Sequence, residues 1–332
     1  MGTAAARNVI ASFGEALIDL LARESAEMSA PRQFTEYAGG APANVAVAVA
    51  RLDGRARFIG MLGEDLFGDR LLAQLQRAGV DVGCVRRTAE AKTALAFVSL
   101  DTRGERSFSF YRPPAADLLF REEHFDSRCF EGVAAFHVCS NSLTEPAIAA
   151  ATLGGMRRAR EGGALVSMDL NLRPSLWPRT VDPVPRVWEA LLEADLVKLS
   201  SGELQFIAPA AGGVEAALAR LLASRAQCVL LTDGAAPLRW FTRTSSGSLE
   251  TFSVRVIDTT AAGDAFVGGW LKALIARGIR RETLAALLVD RRELTACLRY
   301  AAACGALATT RHGAFAAMPS AQEVQALLGA QS

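Results

Sequence analysis

The chain has 332 residues, of which 51% are hydrophobic and 21% are charged, so it can bury a large core. Its 36 basic and 35 acidic residues nearly cancel, which excludes the broad positive field that nucleic acid or an anionic membrane would require. No apolar run reaches the roughly 20 residues of a membrane span, and the N-terminus lacks the apolar segment of a signal peptide. We therefore expect a cytoplasmic protein whose ligands are small molecules.

Strand-like and helix-like segments alternate along most of the chain. Apolar runs predict strands at Asn8–Phe13, Arg57–Leu62, Ala134–Cys139, Ala164–Asp169, Leu196–Leu199, Cys228–Thr232 and Arg239–Thr242. Helical spacing predicts helices at Asn44–Leu52, Arg70–Ala78, Pro146–Glu161, Pro185–Ala194 and Val214–Ser224. This alternation favours a mostly parallel sheet with helices on both faces, and such sheets bind ligands beyond the carboxyl ends of their strands.

Two segments break this alternation. Ile18–Tyr37 and Thr93–Tyr111 both show the period of antiparallel strands, and the second predicts a hairpin with its turn at Asp101–Gly104. We expect these segments to pair into a small sheet that stands off the main body. Two uses of that sheet stay open and are compatible, namely a lid over an active site and a surface for dimer contact.

The cysteines give no sign of a metal site or of disulfides. None of the six is spaced as CxxC, and Cys139 and Cys228 lie in apolar runs that predict buried strands. We therefore expect reduced, buried thiols rather than disulfides or bound zinc.

The most informative stretch is FSVRVIDTTAAGDAFVGGWLKAL, at residues 252–274. Alternation over Phe252–Ile257 predicts a strand, and apolar spacing from Phe266 onward predicts a buried helix. The first N–H groups of a helix have no partner within it, and small residues at 261–263 would let an anion reach them. Asp264 could serve only to stabilise the helix, by up to about 1 kcal/mol. The glycine beside it favours an anion site, because glycine destabilises a helix that nothing approaches.

Two common nucleotide motifs are absent from the sequence. No two glycines are separated by a single residue, which excludes the GxGxxG fingerprint and argues against a nicotinamide dehydrogenase. None of the three lysines, Lys92, Lys198 and Lys272, follows a glycine, which excludes the GK[ST] motif of P-loop proteins. A site for phosphoryl transfer would therefore rely on helix amides, an arginine and Mg²⁺.

Two motifs resemble the signatures of the ribokinase-like, or phosphofructokinase B type, carbohydrate kinases. DTTAAGDAF at 258–266 resembles the C-terminal signature, and GGAPANVAVAVARL at 39–52, followed by GEDLFG at 63–68, resembles the N-terminal one. Within the family, FGEALID, FYRPPAAD and NLRPSLWP are most similar to bacterial and plant fructokinases. The resemblance implies a single ribokinase-like α/β domain over 1–332, a three-layer α/β/α fold with a mostly parallel central sheet. It also implies a small β-sheet lid, inserted at about 18–37 and 93–112.

The resemblance also implies roles for individual residues. Asp264 would be the general base, and the amides of Ala261, Ala262 and Gly263 would stabilise the charge on the transferred group. The sugar would contact Asp19, Gly39, Gly40, Asn44, Arg112, Asn171 and Arg173, and ATP would contact Lys198, Glu203, Thr232, Gly234 and Gly313. Glu203 would organise Mg²⁺ through water, and a monovalent cation, K⁺, would lie at Asp258 and Thr260.

Several positions depart from the family pattern. Ala261 stands where glycine is commoner, which is tolerable only if the backbone does not need a positive φ there. Ser200 replaces the asparagine of the usual NxxE motif that ends at Glu203. Ala302 and Pro237 replace residues that relatives tend to have near the nucleotide, so the nucleotide preference stays open.

The leading hypothesis is an ATP-dependent kinase that converts D-fructose into fructose 6-phosphate. The alternative of the same class is 2-keto-3-deoxygluconate kinase, whose acidic substrate would need a free cation; Asp117, close to Arg112 in sequence, argues against it. A non-catalytic sugar-binding regulator on the same fold should lack the base or the metal glutamate, and Asp264 and Glu203 are both present. We also expect a homodimer through the lid, because an exposed sheet edge invites pairing.

Overall fold

The computed structural model describes residues 7–22, 33–100 and 106–331, so the turn predicted at Asp101–Gly104 lies outside the described residues. Within these ranges no single helix has the length and apolar character to cross a membrane. The helical segments Ser201–Ala211 and Val214–Ala223 reach that length only as a pair, which is bent by 84°.

The strands form two sheets. In chain order they are β1 Val9–Phe13, β2 Leu17–Ala22, β3 Phe34–Gly39, β4 Arg55–Gly63, β5 Asp81–Thr88, β6 Leu95–Leu100, β7 Arg106–Tyr111, β8 Val133–Cys139, β9 Leu165–Asp169, β10 Leu196–Ser200, β11 Cys228–Asp233, β12 Ala236–Thr242 and β13 Ser246–Leu249. The large sheet has the order β13-β12-β11-β10-β9-β8-β1-β4-β5. Its strands are parallel from β11 to β5, and β12 and β13 add antiparallel pairs at one edge.

Helices cover both faces of the large sheet. They are α1 Ala41–Arg51, α2 Leu66–Arg77, α3 Pro146–Glu161, α4 Val184–Glu193, α5 Ser201–Ile207, α6 Val214–Ala223, α7 Ala262–Ala276, α8 Leu284–Val289, α9 Arg291–Ala308 and α10 Ala321–Ala330. One apolar cluster contains α1, α2 and α7 to α10, and a second contains α3 to α6. Strand β1 contributes Ile10 to the first cluster and Ala11 to the second, as the period of two in a strand requires. The predicted three-layer α/β/α architecture is confirmed.

Close packing fixes the position of α7 between two neighbouring helices. A Cβ atom on Gly268 would lie 2.6 Å from the Cβ of Ala48 in α1, and one on Gly269 would lie 2.6 Å from the Sγ of Cys304 in α9. The helix axes can approach this closely only because both residues lack a side chain. Since α7 starts just after residue 261, this packing also places the turn that precedes it.

The small sheet has the order β3-β2-β6-β7. Its outer pairs, β2 with β3 and β6 with β7, are antiparallel as predicted, and β2 joins β6 in parallel. The sequence predicted the two hairpin-like segments but gave no signal for the parallel pair that joins them.

The strand predicted at Phe252–Ile257 is wrong. The large sheet ends at β13, and the N–H groups of Ile257 and Asp258 both donate to the carbonyl of Thr309 at the end of α9. Val256 and Ile257 are largely exposed, so the apolar alternation has no core to face at that end. The segment is an irregular connection that is held by a helix terminus.

Candidate active site

The amino end of α7 is a tight turn with a residue in the left-handed conformation. Ala261 caps the helix with φ 58° and ψ 13°, without a side-chain hydrogen bond. The backbone therefore does need a positive φ at this position, where glycine would be more favourable than alanine. The Ala262 N–H reaches the carbonyl of Thr259 only at 3.4 Å, which is long for a hydrogen bond. A Cβ on Gly263 would lie 2.9 Å from the Nζ of Lys198, so glycine is what fits there.

Asp264 follows this turn and is buried. Its Oδ2 accepts a 2.7 Å hydrogen bond from Asn44 Nδ2, and its Oδ1 accepts a 2.9 Å bond from Asn171 Nδ2. Burial raises the pKa of Asp264 to about 7, although the hydrogen bond from Asn44 lowers it. A carboxyl group with a pKa near neutrality, fixed by two amides, has the properties of a general base.

A buried ion pair lies directly behind the turn. Lys198, on β10, donates to Oδ2 of Asp169, the last residue of β9, at 3.0 Å. Burial alone would lower the pKa of Lys198, but the charge of Asp169 and then that of Glu203 raise it, so the ammonium stays charged. The positive charge also faces Asp264 and the first amides of α7, where it adds to the potential of the helix end.

Glu203 is anchored by backbone N–H groups at both carboxylate oxygens. Oε1 accepts from Leu172 N and Oε2 from Ser200 N, each at 2.7 Å. Ser200 Oγ accepts from Glu203 N in return, which completes a capping box at the start of α5. The serine that departs from the family motif is therefore a suitable N-cap. Glu203 joins the loop after β9 to the end of β10.

On the sugar side of the predicted site, a cleft runs between the small sheet and the main body. Asp19 and Tyr37 line it from the small sheet, and Asp258, Thr260 and Gly313 line it from the main body. Asp19, which the resemblance assigned to the sugar, lies within β2, in the segment predicted to form the small sheet, because the chain turns into that sheet directly after β1.

The Gly39–Gly40 turn packs against the same sheet. A Cβ on Gly39 would lie 2.5 Å from Asp19 Oδ2, so glycine makes room for that carboxylate. Gly40 has φ 104°, and a Cβ there would lie 2.6 Å from the carbonyl oxygen of Glu15. The two glycines thus bring Asp19 and the start of α1, with Asn44, close together.

Asp258 and Thr260, the residues predicted to hold a monovalent cation, line this cleft. Asp258 Oδ1 accepts from Thr260 N at 2.7 Å, and Oδ2 accepts from Gly313 N at 3.0 Å. Among the described residues, the buried Thr260 Oγ1 has no hydrogen-bond partner. Gly313, which the resemblance assigned to ATP, contacts Asp258 in this structure.

The remaining predicted residues lie near the carboxyl ends of the strands. Asn171 follows β9 with φ 41°, and Arg173, two residues later, is exposed. Thr232 of β11 pairs with Ser200 of β10, the residue that caps the helix containing Glu203. Gly234 lies in the turn between β11 and β12. The hydrogen bonds to Asp264 among the described residues come from Asn44 and Asn171, and neither Thr232 nor Gly234 contributes one.

A sequence model described as the pfkB family of carbohydrate kinases matches residues 7–321. The chain belongs to the pfkB family. It is 39% identical to fructokinase-1 of Zea mays over 98% of this chain and 99% of the maize protein. A crystal structure of Xylella fastidiosa fructokinase with bound ATP is 52% identical, with a TM-score of 0.94 over 98% of this chain and 99% of that chain. A double mutant of Vibrio cholerae O395 fructokinase, with fructose, ADP and potassium bound, is 32% identical, with a TM-score of 0.83 over 97% and 99% of the chains.

This pfkB protein pairs Arg112 with an acidic residue instead of leaving it open to solvent. The Arg112 side chain is 1% exposed, and its Nε and Nη2 both donate to Asp117 Oδ2, at 2.9 and 2.5 Å. Its Nη1 is buried and has no partner among the described residues. Burial raises the pKa of Glu15, although the charge of the nearby Arg112 lowers it.

The sequence reasoning did not single out Glu15, Asn141 or Asp169. Glu15 accepts from Asn141 Nδ2 at 2.9 Å and from Ala41 N, the first residue of α1, at 3.3 Å. Glu15 and Asp169 could have been recognised from the sequence as acidic residues at or just after the end of an apolar strand, in Phe13-Gly14-Glu15 and Met168-Asp169.

The strain at Ala261 gives a prediction. A left-handed alanine costs about 1–2 kcal/mol, which exceeds the entropic cost of glycine, about 0.5–1 kcal/mol. We expect Ala261→Gly to raise the free energy of unfolding by up to about 1 kcal/mol in urea titrations.

Ala262→Gly is the matched control, since residue 262 is the first residue of α7 and has no positive φ. It should lower the free energy of unfolding by about 0.5–1 kcal/mol. If both substitutions changed the free energy of unfolding equally, the backbone of Ala261 would not be strained.

Proposed function

We propose that the protein is an ATP-dependent sugar kinase that converts D-fructose into fructose 6-phosphate. The observation that carries this proposal is the buried Asp264 carboxyl, held by Asn44 and Asn171 beside a helix end lined by small residues. Relatives support the substrates, because the Xylella fructokinase structure contains ATP and the Vibrio structure contains fructose and ADP.

In the proposed reaction, Asp264 takes the proton from the 6-hydroxyl group of fructose. The hydroxyl oxygen attacks the γ-phosphorus atom of ATP as the bond to the β-phosphate oxygen breaks, so the products are fructose 6-phosphate and ADP. The amides of Ala261, Ala262 and Gly263 stabilise the negative charge on the transferred group. Asn44 and Asn171 orient the carboxylate, and Lys198 adds positive charge behind the turn.

The residues present fit the two cations that the family resemblance implies. Mg²⁺ neutralises charge on the phosphates of ATP when it is bound. Glu203, with both oxygens on backbone N–H groups, would hold it through water, and among the described residues Asp169 Oδ1 is a buried oxygen without a partner. K⁺ would lie at Asp258 and Thr260, where the unpartnered Thr260 Oγ1 supplies an oxygen.

The charge around Arg112 supports a neutral sugar over an acidic one. Asp117 already neutralises this guanidinium, and the buried Glu15 lies close enough to interact with it electrostatically. A carboxylate of 2-keto-3-deoxygluconate would have to compete with both acidic groups, whereas a hydroxyl needs only the free N–H of Arg112 Nη1. The sugar would contact Asp19, Gly39, Gly40, Asn44, Arg112, Asn171 and Arg173, and ATP would contact Lys198, Glu203, Thr232, Gly234 and Gly313.

We propose that residues 1–332 form one ribokinase-like domain in which the small sheet is both the lid and a dimer surface. Asp19, Tyr37 and Val98 of this sheet line the cleft over the site, as a lid would. The other face carries three aromatic side chains in contact, with ring centres of Phe97 at 5.3 Å from Phe34 and 5.0 Å from Tyr111. The six buried, free thiols suit a reducing compartment such as the cytoplasm.

ADP release in the presence of ATP and Mg²⁺ tests the proposed function with fructose, 2-keto-3-deoxygluconate, ribose, glucose, mannose and adenosine as acceptors. Fructose should give the highest kcat/KM. Asp264→Asn should lower kcat by about 10²–10⁴-fold without loss of ATP binding, because it removes the base.

Asp69→Asn is the matched control, because Asp69 is also an aspartate in a first helical turn but is exposed. It should leave kcat unchanged. Near-normal turnover by Asp264→Asn would show that Asp264 only stabilises its helix, and a preference for the keto-deoxy acid would overturn the fructose assignment.

The pH dependence of kcat/KM follows from the raised pKa of Asp264, which must be ionised to accept a proton. With a pKa of about 7, kcat/KM should fall as the pH drops below neutrality and be constant above it. Asn44→Ala should move this decrease in kcat/KM to higher pH, since the hydrogen bond from Asn44 lowers the pKa of Asp264. If kcat/KM of Asn44→Ala decreases at the same pH as that of the wild type, the decrease reports the titration of another group, such as the phosphates of ATP.

The dimer is tested by sedimentation velocity at micromolar concentration. The wild-type chain should sediment as a dimer and Tyr111→Glu as a monomer, because the charge would be buried in the aromatic face. Val289→Glu is the control, since Val289 and Tyr111 are both 67% exposed and Val289 lies far along the chain in α8. A monomeric wild type would refute the dimer.

A further inference from the structure

Two cysteines that are distant in the sequence meet next to an aspartate. Cys84 lies in the middle of β5, Asp126 caps a single 3₁₀ turn at Ser127–Phe130 just before β8, and Cys129 lies within that turn. One ligand atom of each residue lies within 4.8 Å of the others. This cluster is at the amino end of β8, whereas the catalytic turn is at the carboxyl ends of the strands.

Hydrogen bonds from the side chain of Arg57 to backbone carbonyl groups hold the turn against the sheet. Arg57 is buried, and its Nη1 donates to the carbonyl oxygens of Arg128, Cys129 and Glu131 at 2.7, 3.3 and 3.0 Å. Asp126 Oδ1 accepts from Cys129 N at 3.2 Å. Neither ligand segment would need to reorganise its backbone to bind an ion, which is the condition for a pre-formed site.

The distance between the oxygen and one sulfur fits tetrahedral coordination. Asp126 Oδ1 lies 3.6 Å from Cys129 Sγ. A tetrahedral cation with a bond of about 2.3 Å to sulfur and about 2.1 Å to oxygen separates those two atoms by about 3.6 Å, and two sulfurs by about 3.8 Å. Since all three atoms are within 4.8 Å of one another, small side-chain rotations would complete this arrangement.

The ligand types select the class of ion. Two thiolates favour a thiophilic cation and disfavour Mg²⁺ and Ca²⁺, which prefer oxygen ligands. Two thiolates, a carboxylate and a dication leave one net negative charge. Arg86 Nη2 lies 3.0 Å from Asp126 Oδ2, and the guanidinium of Arg128 lies over Gly83, where a Cβ would be 2.4 Å from Nη2. These arginines offset the remaining charge, and Arg86 orients the carboxylate from behind.

We propose that Cys84, Asp126 and Cys129 bind one thiophilic divalent cation of the zinc type, separate from the Mg²⁺ and K⁺ of the kinase site. Both cysteines are buried and the Asp126 side chain is 45% exposed, so the ion enters on the Asp126 side, where water takes the fourth position. Binding replaces the proton of each thiol by a metal–sulfur bond and releases these two protons to solvent. The bound ion ties β5, the edge strand of the large sheet, to the turn before β8.

The test is a titration of the reduced, full-length chain with Cd²⁺, followed by the ultraviolet charge-transfer absorbance of cadmium–thiolate bonds. One Cd²⁺ per chain should bind, and an excess of Zn²⁺ should compete with it for the site. Cys84→Ser and Cys129→Ser should each abolish the stoichiometric absorbance. Asp126→Asn keeps both thiols and should weaken Cd²⁺ binding in competition with a chelator by at least the roughly 10–100-fold that loss of a group outside the ligand shell causes.

Cys297→Ser is the matched control, because Cys297 is another buried thiol but belongs to no such cluster among the described residues. It should bind Cd²⁺ like the wild type. Wild-type protein without the charge-transfer band, equal loss in the control, or unchanged affinity in a folded Asp126→Asn variant would each overturn the site. Circular dichroism of every variant establishes that it is folded.

Discussion

The removal of the Asp264 carboxyl from water is the interaction on which the site depends. Desolvation raises its pKa to about 7, and the hydrogen bond from Asn44 offsets part of that effect. Asn44 comes from α1 and Asn171 from the loop after β9, so the carboxylate links two helices, α7 and α1, to the carboxyl end of a central strand. The close packing of Gly268 and Gly269 keeps α7 deep enough for this burial.

The turn before α7 combines a strained backbone with a crowded interior. Ala261 adopts a conformation that glycine would adopt without strain, and Gly263 leaves room for the ammonium group of Lys198. Strain of this kind persists only where the surroundings determine the conformation. Here the Ala265 N–H bonds the Ala261 carbonyl at 2.9 Å, and the buried helix that follows fixes the direction of the chain.

Local patterns in the sequence were sufficient for the layers of the fold and for Asp264. Seven of the nine strands of the large sheet were predicted as apolar runs, as for Ala134–Cys139, and helices such as Pro146–Glu161 from their period, whereas β5 and β13 were not predicted. The segment Phe252–Ile257 failed because alternation shows that a strand is possible, whereas pairing requires a free sheet edge. The positive φ of Ala261 could not be predicted from the sequence for a related reason, since tertiary contacts decide the backbone conformation there. Cys84 and Cys129 meet only because β5 and the turn before β8 are neighbours in space.

The contact between Tyr37 and Gly313 has a consequence for the way in which the ligands communicate. A Cβ on Gly313 would lie 2.6 Å from the Tyr37 ring, and the Gly313 N–H donates to Asp258. A shift of the small sheet would thus move Tyr37 against the same loop that binds the Asp258 carboxylate. If hexose and monovalent ion bind where we propose, each would alter the affinity of the other by an identical factor, because thermodynamic linkage is reciprocal.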